Sequence, residues 1–133
     1  MRKILVGYDG SQPSRRALEY AAELADNGPV VVASVTPSLA GPPFSGVPEP
    51  LAEADHEQLL AEAERILAER RVRAKTVQPV GDPAAALIRT AEEEGSTLII
   101  VGTHGRTAFE RFLVGSVSTR LTRDAPCDVL VVR

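Results

Sequence analysis

The chain has 133 residues, 44% of them hydrophobic and 25% charged, with a formal net charge of -3 at pH 7. That length predicts a single domain, 1–133, with room for a substantial core, and the acidic balance argues against nucleic acid as a partner. One cysteine, Cys127, excludes an internal disulfide or a cysteine-built zinc site within one chain. The opening MRKILVGYD lacks the long apolar stretch of a signal peptide or membrane span, so a cytoplasmic protein without membrane contact is expected.

Lys3 to Tyr8 is an aliphatic run of the kind buried on both faces of a sheet, and it ends in Asp9-Gly10-Ser11. Ser11 or Gln12 then precedes Pro13, which suits the first turn of a helix. That helix carries Ala17, Leu18, Ala21, Ala22, Leu24 and Ala25 on one broad face, and Asn27-Gly28-Pro29 stops it. Val30 to Val35 reads as a second strand, rich in β-branched valine. Thr36 to Pro50 holds five of the ten prolines and is predicted to be a long loop, either a lid or partner-contact segment or a tolerated insertion.

Leu51 to Arg71 has the spacing of a long amphipathic helix, with Leu59, Leu60, Ala63, Ile66 and Leu67 inward. Its acids, Glu62 and Glu64 among them, are expected to form a solvated face, with His56 exposed beside them. Ala74 to Val80 is a more polar strand, expected at a sheet edge. Asp82 and Pro83 open the next helix as cap and first residue; Leu87, Ile88 and Ala91 face inward, and Gly95 ends it. Leu98 to Val101 is a fully apolar strand. Ser116 to Arg123 is a short helix, and Val129 to Val132 the last strand.

Between that fourth strand and the last helix lies GTHGRTAFERFLVGS, with Gly102, Gly105 and Gly115 ahead of Ser116. A glycine-rich loop feeding a helix N-terminus can aim several N–H groups at one anion. Four arginines (Arg106, Arg111, Arg120, Arg123) against Glu110 make this stretch basic within an acidic chain. Strict β-α alternation predicts a parallel sheet covered by helices on both faces. In such sheets ligands sit beyond the carboxyl ends of the strands, where strand order reverses. Asp9 ends strand one and Gly102 ends strand four, so adjacency of those strands would bring both to one crevice.

The spacing Gly102-x2-Gly105-x9-Gly115-Ser116, with KILVGYDGS, Gly81-Asp82-Pro83, IIVGTHGR and the closing CDVLVV, resembles the universal stress protein family across essentially the whole chain. The resemblance implies an α/β, single-domain, doubly wound, Rossmann-like fold with a parallel five-stranded sheet in the order 3-2-1-4-5. It also implies ATP between strands one and four, with Mg2+ or Mn2+ accompanying the phosphates. On that resemblance Asp9 binds the ribose or adenine side with Gly7 and Tyr8 nearby, and Val35 and Val101 line the adenine pocket. Gly102 and Gly105 let the loop approach the ligand, and Gly115, Ser116, Val117 and Ser118 meet the phosphates, with Arg106 contacting phosphate or adding only its field. Family members commonly pair their last strands, so a homodimer through 128–132 is expected, together with regulatory protein partners.

Each residue has a second reading. Asp9 suits a turn cap and Ser116 a helix cap; His104, in a turn, is expected to support the loop or face solvent. A Walker loop is excluded by the lack of Gly-Lys-Ser/Thr, and Gly7-Tyr8-Asp9-Gly10 is not the dinucleotide fingerprint. With no catalytic residue identified, hydrolysis is expected to be slow at most, and the resemblance implies an ATP-binding regulatory protein of a stress response. The alternative is a dimeric interaction module that needs no nucleotide.

Overall fold

The computed structural model describes residues 2–36, 53–103 and 116–133. Five strands and four helices alternate along them: β1 (Ile4–Gly7), α1 (Gln12–Leu24), β2 (Val30–Ala33), α2 (Glu53–Glu69), β3 (Ala74–Val77), α3 (Pro83–Glu94), β4 (Leu98–Gly102), α4 (Ser116–Asp124) and β5 (Asp128–Val132). The strands form one parallel sheet in the order β3-β2-β1-β4-β5, as expected.

The alternation of the strands sorts the core into two layers. Side chains along a strand point to opposite faces in turn. Ile4, Val6, Val30, Val32 and Ile100 therefore pack on one face against Ala17, Leu18 and Ala21 of α1 and Leu60, Ala63 and Leu67 of α2. Leu5, Val31, Ala33, Ile99 and Val101 pack on the other against Leu87 and Ala91 of α3 and Leu121 of α4. β1, β2 and β4 are almost wholly buried, which is why they are continuous aliphatic runs.

Helix ends follow their caps. Ser11, not Gln12, caps α1, its hydroxyl accepting from the Ser14 amide. Asp82 caps α3 by accepting from the Ala85 amide at 3.1 Å, and Gly95 closes that helix in the left-handed conformation, φ 66°. Four predicted elements run beyond their observed bounds, the first being β1, which is Ile4–Gly7 rather than Lys3–Tyr8. β2 ends at Ala33, although the Ser34 amide still bonds the Val77 carbonyl. β3 ends at Val77, and only an isolated bridge between Thr36 and Val80 continues the pairing. The long helix is described from Glu53 and gives way to a turn at Arg70, with Arg71 at φ 62°. The predicted loop lies outside the described residues beyond Thr36.

Candidate functional site at the carboxyl ends of β1 and β4

Strand order reverses between β1 and β4. The two are hydrogen-bonded neighbours, with Ile4 opposite Leu98, Leu5 opposite Ile99 and Val6 opposite Ile100. From β1 the chain turns through α1 to β2, and from β4 it proceeds to α4 and β5 on the other side. α1, which follows β1, packs on one face of the sheet and α4, which follows β4, on the other, the arrangement beyond whose strand ends ligands sit in parallel sheets. Asp9 lies two residues past β1 and Gly102 ends β4, so the parallel pairing of those strands places both on the carboxyl side of the sheet.

Asp9 is partly buried, and its Oδ1 accepts from the Ser11 amide at 2.9 Å. The turn-cap reading of this residue is therefore realised. A carboxylate has a second oxygen and four lone-pair sites in all, so the turn uses only part of its accepting capacity. Gly10 beside it has φ 82°, a conformation that favours glycine.

Gly102 has a packing role independent of any ligand. A Cβ there would lie 2.7 Å from Cβ of Pro13 and 3.1 Å from the Ser14 amide nitrogen, so the first turn of α1 rests directly on the end of β4. Gly7 is similarly hemmed in, by Val101 and Leu87 on the α3 face. Val101 is buried in that layer, and Val35 and Val117 are partly buried against it, so these three share one side of the sheet. Ser118, on α4, is partly buried. Ser116 opens α4 as expected, but its side chain lies outside the described residues, as do Gly105, Arg106, Gly115 and His104.

Tyr8 turns the opposite way. Its ring is 2% exposed in the layer beneath α1 and α2, while its amide donates to the Ala33 carbonyl at 2.9 Å. Its hydroxyl donates to Glu62 Oε1, and Arg15 Nε donates to the same oxygen at 3.0 Å. Burial, and then the bond to Glu62, push the phenol up to about 12. That same bond, followed by Arg15, holds the Glu62 carboxyl below the usual carboxylate range. The expectation that Glu62 belongs to a solvated face is corrected: it is partly buried and joins three elements.

His56 is a second correction. It is 3% exposed, not solvent-facing, and its Nδ1 lies 2.6 Å from Ser34 Oγ just past the end of β2. Its Nε2 is buried without a partner among the described residues. The signal was available, because His56, Leu60, Ala63 and Leu67 follow one helical stripe; the acids around the histidine obscured it.

The basic balance of the last helix is also reduced. Arg120 pairs with the α3 cap Asp82, and Arg123 with Asp124. Among the described residues no group of three His, Cys, Asp or Glu side chains could hold a metal. No described helix is long and apolar enough to cross a membrane.

The sequence matches the model of the universal stress protein family over residues 1–133. Universal stress protein YxiE of Bacillus subtilis is 32% identical over 147 residues, covering 98% of both chains. Among solved structures, a universal stress protein in complex with cAMP superposes with a TM-score of 0.75 at 26% identity, covering 99% of this chain and 97% of that one. The universal stress protein from Archaeoglobus fulgidus in complex with dAMP gives 0.76 at 22% identity, covering 100% and 98%, a likeness of fold.

Proposed function

Starting from the premise that the chain belongs to the universal stress protein family, we propose that it is an ATP-binding regulatory protein of the stress response. The nucleotide would occupy the crevice between β1 and β4. The observation that carries this reading is the parallel pairing of those two strands, which brings the chain segments bearing Asp9 and Gly102 to the same end of the sheet. Asp9 would accept from the ribose hydroxyls or the adenine amine, with the Gly7 backbone alongside. Val35 and Val101 would bound the base, and Gly102, Gly105, Arg106, Gly115, Ser116, Val117 and Ser118 the phosphate side. The related structure that holds cAMP supports an adenine nucleotide as ligand.

Mg2+ or Mn2+ would enter with the triphosphate, since phosphate oxygens and water supply most of the shell such an ion needs. Hydrolysis would be slow, and the occupied state would alter contact with regulatory partners. The chain would act in the cytoplasm as a homodimer.

Nucleotide released from the purified protein by heat and identified by mass, followed by ATP calorimetry, tests this reading. Retained ATP, with binding lost in both Asp9→Ala and Gly115→Val, is the expected result. A protein that takes up no ATP with or without magnesium defeats the reading and leaves the interaction module that needs no nucleotide.

A further inference from the structure

Glu62 differs from the other described acidic side chains of α2 because one of its oxygens receives hydrogen bonds from residues on both sides of the β1–α1 turn. Tyr8, just past β1, donates its hydroxyl to Oε1, and Arg15, in the first turns of α1, donates Nε to the same atom. Between them lie residues 9–14: Asp9, the left-handed Gly10, the cap Ser11 and the turn resting on Gly102.

The bonds within this segment are local. Ser11 N donates to Asp9 Oδ1 and Ser14 Oγ to the Ser11 carbonyl, both at 2.9 Å, while Ser14 N to Ser11 Oγ at 3.3 Å and Asp9 N to Ser14 Oγ at 3.4 Å are long. They shape the segment, which meets Gly102 of β4 and Leu59 of α2 by packing, but none of these bonds ties it to another element. Glu62 does, from α2, through bonds to an ionised acceptor, which are stronger than neutral ones. The Tyr8 half is the firmer, because the ring is buried whereas the Arg15 side chain is 53% exposed and its ion pair is screened.

We propose that Glu62 is a positioning residue that clamps the β1–α1 turn from both sides and so holds Asp9 where a nucleotide needs it. The proposal rests on the nucleotide reading above. A loop ordered in advance removes its own ordering entropy from the cost of binding.

The test compares the unmodified chain with Glu62→Ala, Glu62→Gln, Tyr8→Phe and the Glu62→Ala/Tyr8→Phe double variant. Leu60→Ala, on the same helix, serves as a destabilised control. ATP affinity is measured by calorimetry well below every melting temperature, and amide exchange is followed over residues 9–14. Glu62→Ala should weaken ATP about tenfold and Glu62→Gln, which keeps an acceptor oxygen, about threefold. The double variant should bind within about twofold of Glu62→Ala, since both changes remove one shared interaction. Leu60→Ala should lower the melting temperature without changing affinity. Exchange over residues 9–14 should quicken in Glu62→Ala while that of Ile4–Gly7 stays unchanged.

Unaltered exchange over residues 9–14 in Glu62→Ala overturns the clamp. Quickened exchange with unaltered ATP affinity overturns its role toward the ligand. An unmodified chain that binds no ATP defeats the nucleotide reading and the positioning role with it. Quickened exchange in those samples would still show the clamp, so the two failures are told apart.

Discussion

A methyl group on Gly102 would have to share space with Pro13, at a separation real Cβ atoms do not show. The neighbouring atoms include backbone, so relief requires α1 or β4 to shift rather than a side chain to rotate. Gly102→Ala should therefore destabilise the fold by about 1–3 kcal/mol, the range for overpacking a filled interior, as read from urea unfolding. A change below about 0.5 kcal/mol would mean that α1 does not seat on β4 as described. Tyr8 supplies a second prediction. Its phenol is pushed up to about 12 from an ordinary value of 10.0, so the protonated form is favoured in the folded chain. The associated stability is complete below pH 10 and declines as pH rises from 10 to about 12. In a Tyr20→Phe variant the remaining tyrosine should ionise in that upper range by ultraviolet absorbance, whereas a midpoint near 10 would mean that the ring is not enclosed.

Elements were legible in the sequence to the extent that their causes were local. β1, β2 and β4 are aliphatic runs because both sheet faces are covered, and Ser11, Asp82 and Gly95 mark helix ends through chemistry confined to a few residues. The parallel sheet was legible from the β-α alternation, whereas its order, and with it the adjacency of β1 and β4, was legible only through the family resemblance. Polar contacts across the chain were not: Tyr8 and Glu62 are 54 residues apart, and no spacing rule pairs them. His56 lies between these cases, with a visible stripe position but an unforeseeable partner in Ser34. Replacing it tests α2 as an element. His56→Ala removes the ring and leaves the Ser34 hydroxyl, in a residue 1% exposed, without its bond. A loss of about 2–4 kcal/mol is expected in thermal or urea unfolding, from the cavity and the unsatisfied hydroxyl together. The Asp82–Arg120 pair should matter far less, because both side chains are substantially exposed. Arg120→Ala should cost under about 1 kcal/mol, while Asp82→Ala, which also uncaps α3, should cost about 1 kcal/mol or somewhat more.

At the scale of the whole molecule the sheet has two edges, and they are built differently. β3 places the exposed Lys75 in its middle, joined to Glu94 of α3 at 2.8 Å. A lysine on an edge strand discourages another strand from docking there. β5 reads Asp-Val-Leu-Val-Val; its one charged residue is at the start, and Val129, Leu130 and Val131 are each only partly buried. Of the two edges, β5 is the one suited to pair with a second copy of itself, and an antiparallel pairing about a two-fold axis would make the contact self-complementary. Sedimentation equilibrium should then give twice the mass of the 133-residue chain. Val131→Lys, which gives β5 the same kind of guard that Lys75 gives β3, should shift the protein to monomer. Circular dichroism of the variant keeps the test clean, because a folded monomer shows that the edge was the interface. A folded Val131→Lys dimer would place the contact elsewhere on the surface, and a monomeric unmodified chain would show that β5 tolerates solvent without a partner.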